Sequence, residues 1–461
     1  MNSFFNRLMG KGSPDAPPAQ PVSSAPAHRP AEAPDKHKDD QTPAFACREP
    51  LLDRKEGIAG YQFSMPEEVE LRLPSDFEFL PKIYDDAVLR NLGSLGDDAL
   101  LGPRLAFVRL SPESLDNPRI RKLPTTNTVL MLAPVHKKPA AETIRPQLDA
   151  LRQAGYAHGW LLRQSQMVAF PGLAELAASA DYVQIDSTGF NGMDLKLLLK
   201  SISGMRPAGL PKLRLIAGGL NAFDEFNLYF RAGFDLFLGR FVTQRENWHP
   251  PASNISRVRV FTLLNLLRSD TEVGAIAEEL KHDPVLAFKL LRYINSPLMG
   301  LMSPVTGLDK ALILLGREKF YRWLSLMLFD FKSPGYKERV LTEQALSRAA
   351  FLEGLAGQGT VPAQADWLFM LGLFSNLDLL MAQPMADLLL QAKLPADVHD
   401  ALLGEAGPFG DALQLAITAE GQSPSELQRH AALCGLHALP VSQCAMQSLA
   451  WAHEITSLDV S

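Results

Sequence analysis

Between residues 105 and 241 the chain repeats one pattern: a short, nearly continuous apolar run, then an amphipathic stretch, then another apolar run. The runs are LAFVRL (105–110), TVLMLA (128–133), GWLLR (159–163), YVQID (182–186), LRLIAG (213–218) and LFLGRF (236–241). Amphipathic segments lie among them: ETIRPQLDALRQAG (142–155), MDLKLLLKSI (193–202) and NAFDEFNLYFRAG (221–233). A strand with one wet face alternates apolar and polar residues. Runs that are apolar on both faces belong to a parallel sheet covered by helices. Two more candidate strands lie near 45–49 and 58–63. Eight βα units in about 200 residues make a compact (β/α)8 barrel. A doubly wound open sheet uses the same strands, and counting alone leaves both open.

From about 254 onward the signals are helical. Apolar residues recur at Ile255, Val258, Phe261/Thr262 and Asn265/Leu266, and again at Val285, Phe288, Leu291 and Ile294. Ser423-Pro424-Ser425-Glu426 is a capping box with proline at the first helical position. Gly316 ends ALILLG as a left-handed cap would. The stretch Trp248–Ser253, with Pro250-Pro251, is the expected boundary. At the other end, eight prolines fall in the first 43 positions, and Val22 is the only large aliphatic between 11 and 42. Such a segment buries too little to offset its ordering entropy and is expected to be a disordered tether. Phe4, Phe5, Leu8 and Met9 precede it, as a docking peptide or as a frayed start. The expected organisation is a tail (1–44), a barrel (45–247) and an all-α domain (254–461).

Composition narrows the function. The 461 residues carry a formal net charge of −6, which argues against a nucleic-acid footprint. The cysteines, Cys47, Cys434 and Cys444, form no C-x-x-C pair and suit a reducing compartment. They read as small buried hydrophobes rather than nucleophiles. The start MNSFFNRLMGKG has no long apolar region, and stretches such as WLFMLGLF (367–374) are too short to span a bilayer. A cytoplasmic protein without membrane insertion is expected.

His282-Asp283 has the look of a metal-dependent phosphohydrolase dipeptide. Yet Asp283 precedes Pro284 and an amphipathic helix, which is what an N-cap with proline at N1 requires. No histidine lies between 250 and 281, and the next after His282 is His399. A metal site needs several converging ligands. The dipeptide is therefore read as a helix start. His430 and His437 lack nearby acids and are read as structural or solvent-exposed.

The same region resembles a known family. DPVLAFKLLRYINSP followed by SPVTGLDKALILLGREKFYRWL (303–324) is similar to the HDOD domain. The matching residues are Asp283, Pro284, Leu290, Leu291, Arg292, Asn295, Ser296, Ala311, Leu312, Leu315 and Gly316, with Leu312 where the family often has isoleucine. That resemblance implies a module akin to HD phosphohydrolases that have lost their metal ligands, regulatory or protein-binding in role. A barrel ahead of it resembles the EAL–HDOD architecture of bacterial cyclic di-GMP signalling. FACREPLLDRKEGIAGYQF (45–63) is similar to the opening of such proteins through Arg48, Pro50, Leu51, Leu52, Asp53, Gly60 and Tyr61.

The resemblance implies a catalytic set that this chain departs from. Phosphodiester hydrolysis of this kind uses divalent metals held by carboxylates and an amide at strand ends. Gln62-Phe63-Ser64 stands where Glu-Ala-Leu is expected, and Arg109 where a metal-binding asparagine is expected. TVLMLA and LLRQSQMVAF (161–170) carry no acid at any register. Gln184-Ile185-Asp186 replaces Lys-x-Asp, Ala217–Asn221 replaces Glu-Gly-Val-Glu, and Leu238-Gly239 replaces Gln-Gly. The barrel is thus a degenerate EAL-like one, with no metal, no cofactor and no catalysis expected. Arg109, Asp186 and Arg240 are the candidate ligand contacts, with Arg163 and the Gly218-Gly219 turn also able to face the mouth. Asp186 reads rather as a strand-end residue capping the next turn. There is no G-x-S-x-G elbow, P-loop or zinc spacing. The expectation is a non-catalytic signalling protein whose HDOD domain binds another signalling protein, the degenerate EAL domain serving as a regulatory scaffold. A cyclic di-GMP receptor, or an active cyclic di-GMP phosphodiesterase, is the alternative.

Overall fold

The computed structural model describes residues 47–55, 57–64, 80–93, 101, 104–134, 141–170, 172–239, 241, 257–269, 271–296, 299, 301, 304–329, 334–390, 392, 394–420 and 424–458. The expected tail, Arg240, the Trp248–Ser253 boundary and Ser423 lie outside them.

Eight strands close into a barrel in sequence order: β1 (Cys47–Asp53), β2 (Ile58–Ser64), β3 (Leu105–Leu110), β4 (Thr128–Leu132), β5 (Ala157–Leu162), β6 (Tyr182–Asp186), β7 (Arg214–Leu220) and β8 (Leu236–Gly239). Closure removes the open-sheet alternative. The strands β2 to β8 run parallel. β1 is antiparallel to both its neighbours, β2 and β8. The eight βα units expected from the sequence are therefore corrected at the first: β1 turns straight into β2. The Asp53 carboxylate holds that turn, accepting from the N–H of Lys55 at 2.8 Å and of Gly57 at 2.9 Å.

Helices of the barrel half are α1 (Leu80–Gly93), α2 (Ala141–Gln153), α3 (Gln164–Ala169), α4 (Leu173–Ala178), α5 (Gly192–Met205) and α6 (Phe223–Arg231). Strand side chains alternate between two apolar layers, as the pleat requires. Leu51, Phe107, Val129, Met131, Tyr182, Ile216, Leu236 and Leu238 fill the interior. Strand residues of the other parity, such as Val108, Leu130, Trp160 and Val183, pack outward into a second cluster.

The helical half is α7 (Arg257–Arg268), α8 (Val273–Lys281), α9 (Pro284–Ile294), α10 (Leu308–Leu315), α11 (Arg317–Leu326), α12 (Tyr336–Gly354), α13 (Ala365–Phe374), α14 (Leu377–Met381), α15 (Met385–Leu390), α16 (Ala396–Leu402), α17 (Pro408–Glu420), α18 (Pro424–Leu433) and α19 (Ala438–Leu458). By contact clustering its residues fall in two units. Residues 254–330 belong to one compact unit, whereas 331–461 cluster with 44–253 in the other.

In the first unit, α9 begins as the sequence indicates. Asp283 caps it, accepting from the Leu286 N–H at 3.0 Å, with proline at the first position. The Asn295 side chain then holds the following loop, donating to the Val305 carbonyl and accepting from its N–H, both at 2.7 Å. Gly316 does end α10 with positive φ, but at φ 79°, ψ 160°. That is the extended, glycine-only region rather than the left-handed helical one expected. Tyr293 and Phe320 both stack on Trp323.

In the second unit, α12 and α19 lie against the barrel. Tyr336 and Val340 of α12 and Met446 and Leu449 of α19 belong to the barrel's outer apolar cluster. Polar anchors accompany them. The Tyr61 hydroxyl donates to Glu343 at 2.7 Å, and Arg104 Nη1 reaches both Glu343 oxygens at 2.7 Å. Arg48 donates to Ser347, Glu420 and the Ala445 carbonyl.

Candidate functional site at the barrel mouth

In a parallel barrel the strand C-terminal ends carry function, and inward-facing residues there line the mouth. Interior packing of Leu51, Phe107, Met131 and Tyr182 sets the parity. Glu49, Gln62, Arg109, Gln184 and Asp186 share it, being two or four residues along the same strands, or opposite in register.

Gln62 and Gln184 are 2% and 4% exposed, and the Oε1 of each has no hydrogen-bond partner among the described residues. An orphaned buried acceptor is costly, so each marks a polar spot in an otherwise apolar interior. Gln184 lies over Gly218, where a Cβ would come within 2.8 Å of its Nε2. Arg109 sits on β3, half-buried. Asp186 ends β6, three strands round the ring. Its Oδ1 accepts from the Thr188 N–H at 3.1 Å and hydroxyl at 2.6 Å, and its Oδ2 from Arg163 Nε at 3.3 Å. Gly219, at φ 71°, leaves room for this carboxylate, since a Cβ there would stand 2.9 Å from Oδ1. Asp186 therefore caps its own turn, and Arg163 is its ion-pair partner. Arg240 lies outside the described residues.

Glu49 was not among the residues singled out from the sequence. It faces Gln62 across the β1–β2 ladder. The signal was present in CREPLLD, where Glu49 precedes interior Leu51 by two. The antiparallel course of β1, which decides where Glu49 ends up, is invisible to strand counting.

The metal fit is poor. Mg²⁺ or Mn²⁺ takes oxygen donors, chiefly carboxylates. The inward polar set holds two amides and a guanidinium, and of its two acids Asp186 is already engaged. Among the described residues no three His, Cys, Asp or Glu side chains converge as a metal site. Burial pushes the Cys434 and Cys444 thiols up to about 11, which keeps them protonated and inert. No helix among the described residues is long and apolar enough to cross a membrane.

Comparison with known proteins adds the family. Residues 256–399 match the model of the HDOD domain. The chain carries an HDOD domain. The HDOD match spans the division of the helical half, taking in α7–α11 of one unit and α12–α15 of the other. Two relatives align over nearly the whole chain. One is the cyclic di-GMP phosphodiesterase CdgJ of Vibrio cholerae, 24% identical over 90% of this chain and 93% of the relative. The other is the uncharacterized protein YuxH of Bacillus subtilis, 23% identical over 89% and 98%. Solved structures similar to the chain include a standalone EAL protein from Vibrio cholerae O395 in its c-di-GMP-bound form, 14% identical with a TM-score of 0.31 over 42% of this chain and 89% of that one. Another is the Bacillus subtilis YkuI protein, with an EAL domain, in complex with c-di-GMP and calcium, 12% identical with a TM-score of 0.33 over 54% and 73%. A closed eight-stranded barrel followed by an HDOD region is the architecture expected from the sequence.

Proposed function

We propose that this chain is a cytoplasmic component of bacterial cyclic di-GMP signalling that does not hydrolyse the dinucleotide. It acts by recognition, its HDOD region binding another signalling protein while the barrel serves as a regulatory scaffold. One observation carries the reading. Among the described residues, the polar residues turned inward near the mouth include Gln62, Arg109 and Gln184 with Glu49 and Asp186, and Asp186 is held by Arg163 and Thr188. Among the described residues that set offers no cluster of carboxylates to divalent ions. No cofactor enters this reading.

A second reading, a cyclic di-GMP receptor, has the orphaned acceptors of Gln62 and Gln184 in its favour, since buried polar atoms without partners suit a bound polar ligand. The name of the Vibrio relative keeps hydrolysis as a third. Calorimetric titration of the full chain with cyclic di-GMP, with and without Mn²⁺, separates them. The scaffold reading expects no heat of binding up to about 100 μM ligand. Saturable binding without turnover makes the chain a receptor, and appearance of the linear dinucleotide makes it an enzyme.

A further inference from the structure

A barrel strand followed by a helix has its outer face covered by that helix. β1 has none, because it turns directly into β2. The hairpin's outward side chains are nevertheless buried: Leu52, Ile58, Tyr61 and Phe63 lie in the cluster that holds Tyr336 and Val340 of α12 and Met446 and Leu449 of α19. Part of the hairpin's cover therefore comes from the far end of the sequence, alongside Val88, Leu89 and Leu92 of α1 in the same cluster.

The covering is specific as well as apolar. Barrel residues Arg48 and Arg104 meet Glu420 and Glu343 of the helical half. Glu343 is 1% exposed and receives Arg104, the Tyr61 hydroxyl and the Thr456 hydroxyl. Glu420 receives Arg48 and Arg348. The Tyr336 hydroxyl donates to the Asp53 carbonyl at the hairpin turn, and its ring packs edge-on to Phe226 at 5.5 Å. Arginines on one side and glutamates on the other fix which surface fits which.

We infer that the α12–α19 pair, seated on the outer face of the β1–β2 hairpin, couples the HDOD region, through α12, to the barrel mouth. The tie is the alternation of the two strands. Arg48 and Tyr61 point to the helices, whereas Glu49 and Gln62, the next residues along, point into the barrel. Neither strand can shift on one face without shifting on the other. The inference does not depend on whether the barrel binds or hydrolyses a dinucleotide.

Amide hydrogen exchange on the full chain tests it, comparing the unaltered protein with Glu343→Gln and with Tyr61→Phe. Glu343→Gln weakens the ion pair while keeping the side chain's shape, and Tyr61→Phe removes a single hydrogen bond, so one of them remains readable should the other fail to fold. Exchange in residues 47–64 and in 336–354 is expected to rise together, by about tenfold for Glu343→Gln and less for Tyr61→Phe. Residues 128–186 should change by less than about twofold. A rise confined to 336–354 would make the helices an appendage that does not support the hairpin. A uniform rise through β4–β6 would make Glu343 a general stabiliser with no special seat. Either result overturns the inference.

Discussion

The Tyr61 hydroxyl on β2 donates to the Glu343 carboxylate on α12 at 2.7 Å, across 282 residues of chain. Burial, then the neighbouring carboxylate, holds the phenol well above its usual range, so Tyr61 stays a donor throughout the physiological range. Arg104 supplies the positive charge that makes a buried Glu343 tolerable.

Glu343→Ala leaves Arg104 and Tyr61 without their acceptor in a dry joint. The expected loss is about 3–5 kcal/mol, the usual cost of removing one partner of a buried pair. Tyr61→Phe should cost about 1 kcal/mol. Urea denaturation of both single variants and the double variant gives the coupling. Strictly additive losses would mean the two groups do not interact.

Acid should destabilise the barrel unit through two histidines. Burial, reinforced by Arg152, pushes His158 down to about 4. Burial, reinforced by Arg104, does the same to His453. The unfolded chain then binds more protons than the folded one between the ordinary histidine value of about 6.5 and the folded value. Stability is fully present above that window and falls as pH drops through it, by at most about 3 kcal/mol per histidine. His158→Gln and His453→Gln should flatten the pH dependence of the denaturation midpoint between about pH 6.5 and pH 4.

Asp85 works in the opposite sense. Burial raises it to about 6 against three hydrogen bonds from Ser111 and Ser114. A raised carboxyl contributes stability at low pH that is lost as pH climbs from about 4 to the folded value. Asp85→Asn should therefore steepen the acid loss, measured in the same titration. A shallower slope would mean the carboxyl is already ionised in the folded protein at low pH.

Asp186→Asn separates a turn cap from a catalytic acid. If Asp186 serves its turn, the variant loses about 1–2 kcal/mol in denaturation through weaker bonds to Thr188 and Arg163, with no change in dinucleotide binding or turnover. Loss of a measurable hydrolytic activity would return Asp186 to the chemistry.

Asp283→Ala should lower stability by about 1 kcal/mol through the lost cap of α9. Metal content of the purified protein, measured by elemental analysis, should not change. A drop in bound metal would revive the phosphohydrolase reading of His282-Asp283.

The strands were legible because fully buried runs have few other homes. LAFVRL and YVQID became β3 and β6 without adjustment, and the other four runs shifted by only one or two residues at their ends. The Asp283 cap was equally plain, being a local matter of one carboxylate and one N–H. Strand direction was not legible, since alternation is the same whichever way a strand runs, so the β1–β2 hairpin was missed. Arg48 stood out as a motif residue, but its partner Glu420 lies 372 positions away. No local pattern announces a pairing of that span. The same distance hid the division of the helical half, where α12 reads as an ordinary helix and only packing assigns it to the barrel.

The hairpin's dependence on distant helices bears on how the molecule is made. β2 ends at Ser64 and α19 at Leu458. At synthesis rates of roughly 5–20 residues per second, the apolar outer face of β1–β2 leaves the ribosome about 20–80 s before its cover is complete. For that interval the nascent barrel lacks the cover that α12 and α19 supply around Arg48, Asp53 and Tyr61, and a chaperone that holds emerging chains would find a client there.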